Sequence, residues 1–183
     1  HKIEGEAGNA AYVGVHVYSS TDLYNWKDEG IALAVSEDPH SPITRGCILE
    51  RPKVIFNSQT KKFVMWFHLE PKGRDYSGAL SGVAVADNVA GPFQFVNTFR
   101  PNASVWPENV PAELKRPLSP DEAALLASLD LPGGAVPYYP KQFLFRRDFA
   151  GGQMARDMTL FVDDDGGAYH IYASEANGTL HIS

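Results

Sequence analysis

Two segments of the chain repeat one pattern, and this repeat restricts the possible folds more than any other feature. Residues 54–56 are apolar and lead through a polar turn into the apolar run 63–67. Residues 160–162 lead in the same way through the Asp- and Gly-rich turn 163–167 into residues 169–172. Apolar runs on either side of such turns are typical of β-hairpins. The two segments align without a gap, so we expect two copies of one structural unit with turns of equal length.

Further short strands extend each unit. A third apolar run follows each hairpin, at 82–86 and at 179–183, and the first unit adds an outer strand at 92–96. An alternating run at 11–18 precedes the first hairpin. Four short strands per unit, repeated radially, are typical of a β-propeller, whereas sandwiches do not repeat. The pattern therefore predicts an all-β protein of the propeller type.

One segment interrupts the strand pattern. Eight of the 13 prolines lie between Pro101 and Pro140, and we treat residues 101–142 as an insertion. Ser119, Pro120 and Glu122 form a capping box with proline at the first helical position, which predicts a helix over 120–129. We expect either a surface connection between strands or a loop that reaches over a functional site.

Composition excludes several classes of function. The formal net charge is −6 and the sequence has no basic stripe, which argues against a nucleic-acid partner. The apolar runs are far shorter than the ~20 residues that cross a bilayer, so we expect no membrane partner. Cys47 is the one cysteine, which excludes an internal disulfide and a CxxC metal site. We expect no metal and no cofactor; residues 163–166 resemble the start of a calcium loop but lack its distal acid, so a structural calcium is not indicated.

Four motifs together resemble glycoside hydrolase family 43, and within it the exo-β-1,3-galactanase branch. They are SSTDLYNW at 19–26, ERPKV at 50–54, the run from 82 to 93, and RDMTLFVDDDG at 156–166. The resemblance implies a five-bladed β-propeller with its pocket on the central axis, in which sugars are cut by inversion. Residues 1–183 then form a partial catalytic β-propeller of about two to three blades.

The resemblance also implies roles for two carboxylates. Asp157 matches the aspartate that tunes the pKa of the general acid, and Glu50 matches the ERPK glutamate that contacts the substrate. Inversion needs an acid and a base roughly 6.5–9.5 Å apart, so that a water molecule fits between them. The general acid and the base are expected outside this segment, and residues 1–183 alone are expected to be inactive and poorly folded.

Four further residues are predicted to contact substrate. Tyr76 matches a tyrosine that touches the terminal sugar, and Arg51 is expected to bind either a sugar hydroxyl or one of the carboxylates. Asn177 matches the amide of an acid–amide pair whose acid is replaced here by Ala176, and Glu175 lies one residue away.

The resemblance implies an inverting exo-enzyme that releases terminal galactose from β-1,3-galactan, such as the backbone of arabinogalactan. Two alternatives stay open: an α-L-arabinofuranosidase or β-xylosidase of the same family, and a non-catalytic sugar-binding propeller. The expected partner is an oligosaccharide or polysaccharide, and the expected location is secreted or periplasmic. The sequence does not determine the oligomeric state.

Overall fold

The computed structural model describes residues 2–4, 8–128 and 141–183, and in them three antiparallel sheets follow one another along the chain. The first sheet holds β1 (Lys2–Glu4), β2 (Ala11–Ser19) and β3 (Lys27–Ala34). The second holds β4 (Ile48–Asn57), β5 (Lys62–Glu70), β6 (Leu80–Ala86) and β7 (Gln94–Phe99). The third holds β8 (Met158–Val162), β9 (Ala168–Ser174) and β10 (Thr179–Ile182). Within each sheet the strands pair in chain order, which is the arrangement of consecutive propeller blades. The predicted all-β architecture is confirmed.

The sheets pack face to face through apolar side chains. Between the first and second sheets, Val15 and Leu33 join Met65 and Phe67 in one buried core. Trp66 packs on a second cluster, which contains Ala155, Met158 and Tyr172, and so connects the second sheet to the third. The initial strands of these two sheets, β4 and β8, lie side by side. Residues that begin β4 and β8 are therefore brought close together.

Both predicted hairpins are present, but they are not equal copies. The pair Asn57–Lys62 closes a turn of four residues, whereas the pair Val162–Ala168 closes a turn of five. The expectation of equal turns is therefore wrong. The first turn is closed by the side-chain oxygen of Asn57, which accepts the backbone N–H groups of residues 59 and 60. The second needs a left-handed residue, Gly166 with φ +86°, after its tight backbone turn.

The described residues of the segment between the second and third sheets form a short 3₁₀ turn and two helices. They are the turn Ala112–Leu114, α1 (Pro120–Ser128) and α2 (Lys141–Asp148). The predicted helix is confirmed to Ser128, and its expected last residue lies outside the described residues. No helix in the described ranges is long and apolar enough to span a membrane.

The predicted capping box begins α1. Ser119 N–H donates to Glu122 Oε2 at 2.8 Å, and Glu122 N–H donates to Ser119 Oγ at 3.2 Å. The Glu122 carboxylate also accepts hydrogen bonds from the guanidinium groups of Arg116 and Arg146. Arg146 belongs to α2 and its side chain is buried, so a single glutamate caps α1 and ties it to α2.

We expect Gly82→Ala to destabilise the protein, because a Cβ at this position of β6 would lie 2.3 Å from Cε2 of the buried Phe67 ring. Overpacking of this kind costs about 1–3 kcal/mol. The measurement is urea unfolding of the full-length protein. Gly151→Ala is the matched control, since a Cβ there meets no atom within 4 Å. Equal stability of the two variants would contradict the proposed packing.

Candidate active site

A bulge near the start of β4 shapes the candidate site. The strand pairing is regular up to Glu50–His68, shifts at the next two residues, and resumes at Lys53–Trp66. Pro52 cannot donate a ladder hydrogen bond, and Arg51 adopts the left-handed conformation with φ +52°. A bulge redirects the side chains on either side of it. Here Glu50 stays opposite His68, and Arg51 extends to the neighbouring sheet.

Arg51 binds Asp157 across the boundary between the second and third sheets. Its Nε donates to Asp157 Oδ1 at 2.7 Å. Asp157 precedes β8, and its carbonyl accepts the N–H of Ala173 on β9, which fixes its backbone. The hydrogen bond and the charge of Asp157 raise the pKa of Arg51 above its ordinary value. Both side chains are more than half exposed, so this pair orients groups more than it stabilises the fold.

Glu50 is held from two sides. Tyr76 Oη donates to Glu50 Oε1 at 2.9 Å, and His68 Nδ1 lies 3.5 Å from Glu50 Oε2. Burial, followed by the hydrogen bond to Glu50, raises the pKa of Tyr76 to about 12, so its hydroxyl keeps its proton at neutral pH. Asn9 Nδ2 donates to the same hydroxyl at 2.5 Å. Asn9 therefore orients the Tyr76 hydroxyl, and this hydroxyl donates its proton to Glu50.

A fully buried carboxylate anchors the loop that carries Tyr76. Glu70 ends β5 and is 0% exposed. Its Oε2 accepts the N–H of Gly78 at 2.7 Å, and its Oε1 accepts the N–H of Ala79 at 2.8 Å. His68 Nε2 lies 2.9 Å from Glu70 Oε1. One carboxylate thus fixes both the end of the loop at 71–79 and the imidazole beside Glu50.

Two arginines hold the carbonyl side of the same loop. Arg156 Nη2 donates to the carbonyl of Tyr76 at 2.6 Å, and its guanidinium lies 5.9 Å from the centre of the Tyr76 ring. Arg100 donates to the carbonyls of Ser77 and Gly78, each at 2.9 Å. Burial lowers the pKa of both arginines, although nearby acids oppose this effect. The loop backbone is therefore fixed by charged groups on both sides.

The structure brings together Glu50, Arg51, Tyr76 and Asp157, but it places the other two predicted residues in a separate turn. Residues 175–177 connect β9 to β10 and all have positive φ. The Glu175 carboxylate is 1% exposed and accepts hydrogen bonds from Ser174 and Thr179; His181 Nε2 lies 2.9 Å from it. Asn177 is exposed. The substrate contacts of Asn177 and Glu175 stay predictions.

In the described part of the chain, one cavity is lined by Tyr76 but not by Glu50, Arg51 or Asp157. A depression of about 280 Å³ is lined by Tyr76 together with Asn9, Gly46 and Ile48. A second cavity, of about 670 Å³, lies between residues 102–109, α2 and β10, and contains none of the residues predicted for catalysis. The candidate site is therefore defined by the polar side chains of Glu50, Arg51, Tyr76 and Asp157 and not by a cavity. In the ranges described, no three His, Cys, Asp or Glu side chains form a group that could hold a metal ion.

The sequence did not single out four of the residues that build this site. Glu70 and Arg100 lie in no motif, and Arg156 begins RDMTLFVDDDG, which pointed to Asp157 instead; all three act through the loop backbone. His68 could have been found, because Pro52 within a strand indicates a bulge, and a bulge there pairs Glu50 with His68.

Comparison with known proteins identifies relatives of this arrangement. No family model and no curated protein matches the chain. A solved structure described as the GH43 beta-1,3-galactosidase BT3683 with galactodeoxynojirimycin is 49% identical over 94% of this chain and 49% of that chain, with a TM-score of 0.80. A second, the GH43 beta-1,3-galactosidase BT0265, is 32% identical over 95% of this chain and 27% of its own, with a TM-score of 0.64.

A third structure is the exo-beta-1,3-galactanase of Phanerochaete chrysosporium with beta-1,3-galactotriose. It is 28% identical over 96% of this chain and 29% of its own, with a TM-score of 0.62. The chain therefore spans about half the length of the first structure and under a third of the other two. The similarity confirms that the three sheets are blades of a β-propeller, of which this chain covers part.

We expect Glu70→Gln to loosen the loop at 71–79. An amide offers one acceptor oxygen, and its NH₂ group would face a backbone N–H, which leaves buried donors unpaired at a cost of about 1–3 kcal/mol. Hydrogen exchange of the Gly78 and Ala79 amides in the full-length protein should accelerate. Glu29→Gln, at an exposed position near the start of β3, is the control and should leave these amides unchanged. Unchanged exchange in Glu70→Gln would show that Glu70 does not hold the loop.

Proposed function

We propose that this chain, which belongs to glycoside hydrolase family 43 and its exo-β-1,3-galactanase-like branch, is part of an enzyme that removes terminal galactose from β-1,3-galactan. The main support is a pair of oriented carboxylates from adjacent blades: Glu50 accepts a hydrogen bond from Tyr76, and its chain neighbour Arg51 binds Asp157. The ligands of the relatives, galactodeoxynojirimycin and β-1,3-galactotriose, indicate galactose as the sugar.

The chemistry assigns a different task to each carboxylate. Glu50 is partly exposed, so its carboxylate can accept hydrogen bonds from sugar hydroxyls and orient the sugar ring. Its Oε2 atom also faces His68, which holds the carboxylate in place. Asp157 is well exposed, and its negative charge would raise the pKa of a nearby general acid into the working range. The Arg51 guanidinium limits the rotation of Asp157 without burying it. The acid and the base of the inverting reaction are proposed to come from parts of the protein beyond these residues.

The biological setting is part of the same proposal. Branched β-1,3-galactans such as arabinogalactan are polymers outside the cell, so we propose a secreted or periplasmic enzyme.

The activity is tested by incubating the full-length protein with β-1,3-galactobiose, β-1,3-galactan and a panel of nitrophenyl glycosides. We expect galactose as the product, and proton NMR should show its α-anomer first, since inversion of a β-linkage gives that anomer. Release of arabinose or xylose alone would favour the other activities of the family. Binding of galactobiose without product would favour a non-catalytic propeller.

We expect Glu50→Gln to lower turnover of β-1,3-galactobiose by about two orders of magnitude or more, because the amide loses the charge that orients the sugar. Circular dichroism and the melting temperature should stay close to those of the unchanged protein. Glu29→Gln, an exposed glutamate on β3, is the matched control and should retain activity. Near-normal turnover in Glu50→Gln would remove Glu50 from the site.

We expect Asp157→Asn to retain weak galactose binding but to hydrolyse poorly. Loss of the negative charge lowers the pKa of the general acid, so the alkaline limb of the pH–rate profile should move to lower pH. Asp87→Asn is the control, since Asp87 is also an exposed aspartate in an ion pair, with Lys62. A profile that is identical in Asp157→Asn and the unchanged protein would exclude this role.

A further inference from the structure

We propose that His68 is a positioning residue for Glu50. One proton is shared between His68 Nδ1 and Glu50 Oε2, while Nε2 of the same ring donates its own proton to Glu70. The shared proton follows from the contacts of His68 with Glu50 and Glu70. Only its effect on sugar binding rests on the proposed function.

One nitrogen of the imidazole, Nε2, faces the buried carboxylate of Glu70. Both oxygens of this carboxylate accept backbone N–H groups, from Gly78 and Ala79, and the carboxylate is 0% exposed. Backbone donors stabilise the ionised form, which offers acceptors only. His68 Nε2, at 2.9 Å from Glu70 Oε1, must therefore carry a proton and donate it. The tautomer of His68 follows from this contact.

The other nitrogen of the imidazole, Nδ1, faces Glu50. His68 Nδ1 lies 3.5 Å from Glu50 Oε2. The imidazole is 1% exposed, so water has little access to the space between the two atoms. With no proton between them, a nitrogen lone pair would face a carboxylate oxygen, which is repulsive. One proton removes the repulsion, whether it resides on Nδ1 or on Oε2. Tyr76 does not supply it, because its hydroxyl donates to the other oxygen, Oε1.

The groups around His68 determine which atom holds that proton. The groups that face His68 are Glu50 from β4, Glu70 from β5 and Tyr76 from the loop, whose ring centre is 5.9 Å from that of the imidazole. Burial alone would lower the pKa of His68, but the hydrogen bonds and charges of the two glutamates outweigh burial and raise it. The imidazolium form of His68 is therefore favoured more than in an ordinary histidine, with the proton on Nδ1 facing the Glu50 carboxylate.

This arrangement has a consequence for substrate binding. Without the imidazolium, a Glu50 carboxylate that is only 18% exposed would take up a proton more readily, and a protonated Glu50 has fewer acceptor sites for sugar hydroxyls. The His68 cation keeps Glu50 ionised to lower pH. In His68→Gln the amide can still donate to Glu70, but the cation is lost, so the pKa of Glu50 should rise.

The test uses the full-length protein labelled with ¹⁵N-histidine. We expect the His68 ring to titrate with a midpoint above 6.5, and Glu50→Gln to lower that midpoint by about one pH unit or more. Calorimetry with galactose should show that the loss of affinity at acidic pH begins about one pH unit higher in His68→Gln, a roughly tenfold weaker binding in that range. The control is His170→Gln, a buried histidine that lies against Met158 Sδ; it should leave the pH dependence of binding unchanged.

The outcomes separate this inference from the proposed function. An unchanged His68 midpoint in Glu50→Gln would overturn the shared proton, and this measurement needs no folded His68 variant. Equal pH dependence of galactose binding in a folded His68→Gln and the unchanged protein would overturn the positioning role. A coupled titration in a protein that binds no galactose at any pH would support the shared proton and contradict the proposed function.

Discussion

The buried carboxylate of Glu70 is the interaction on which the candidate site depends. A fully buried charge is tolerated only when its oxygens are satisfied, and Glu70 meets this requirement with Gly78 N–H, Ala79 N–H and His68. The same contacts fix the loop that carries Tyr76 and the imidazole beside Glu50. The cost of burying one charge is thereby offset by contacts that order the surroundings of another.

The blades of the propeller supply the other half of the geometry. The initial strands β4 and β8 lie side by side, so residues near their beginnings meet, as Arg51 and Asp157 do. The bulge at Arg51 then allows a side chain of one blade to bind the carboxylate of the next at 2.7 Å. A rigid sheet positions each group, and a local irregularity re-aims one of them. This division explains how a repeated scaffold carries a site that is not repeated.

The sequence predicted the strands of both hairpins because their apolar runs and turn residues are local signals, as the first strands that end at Asn57 and Val162 show; β1 and β3 were not predicted. It failed on the relative turn lengths, since a one-residue difference in pairing leaves the apolar pattern unchanged. Glu50 and Asp157 were predicted from motifs, whereas Glu70 was not, because its partners are backbone amides eight and nine residues away. Its prediction would have required the path of the loop, which packing and not composition determines.

The central claim is that Glu50 and Asp157, from adjacent blades, face one sugar. The most direct test is a crystal structure of the full-length Glu50→Gln protein soaked with β-1,3-galactobiose. We expect a terminal galactose in contact with residue 50, the Tyr76 hydroxyl and the Asp157 carboxylate. A sugar bound instead in the cavity beside β10, with no contact to residue 50 or Asp157, would contradict it.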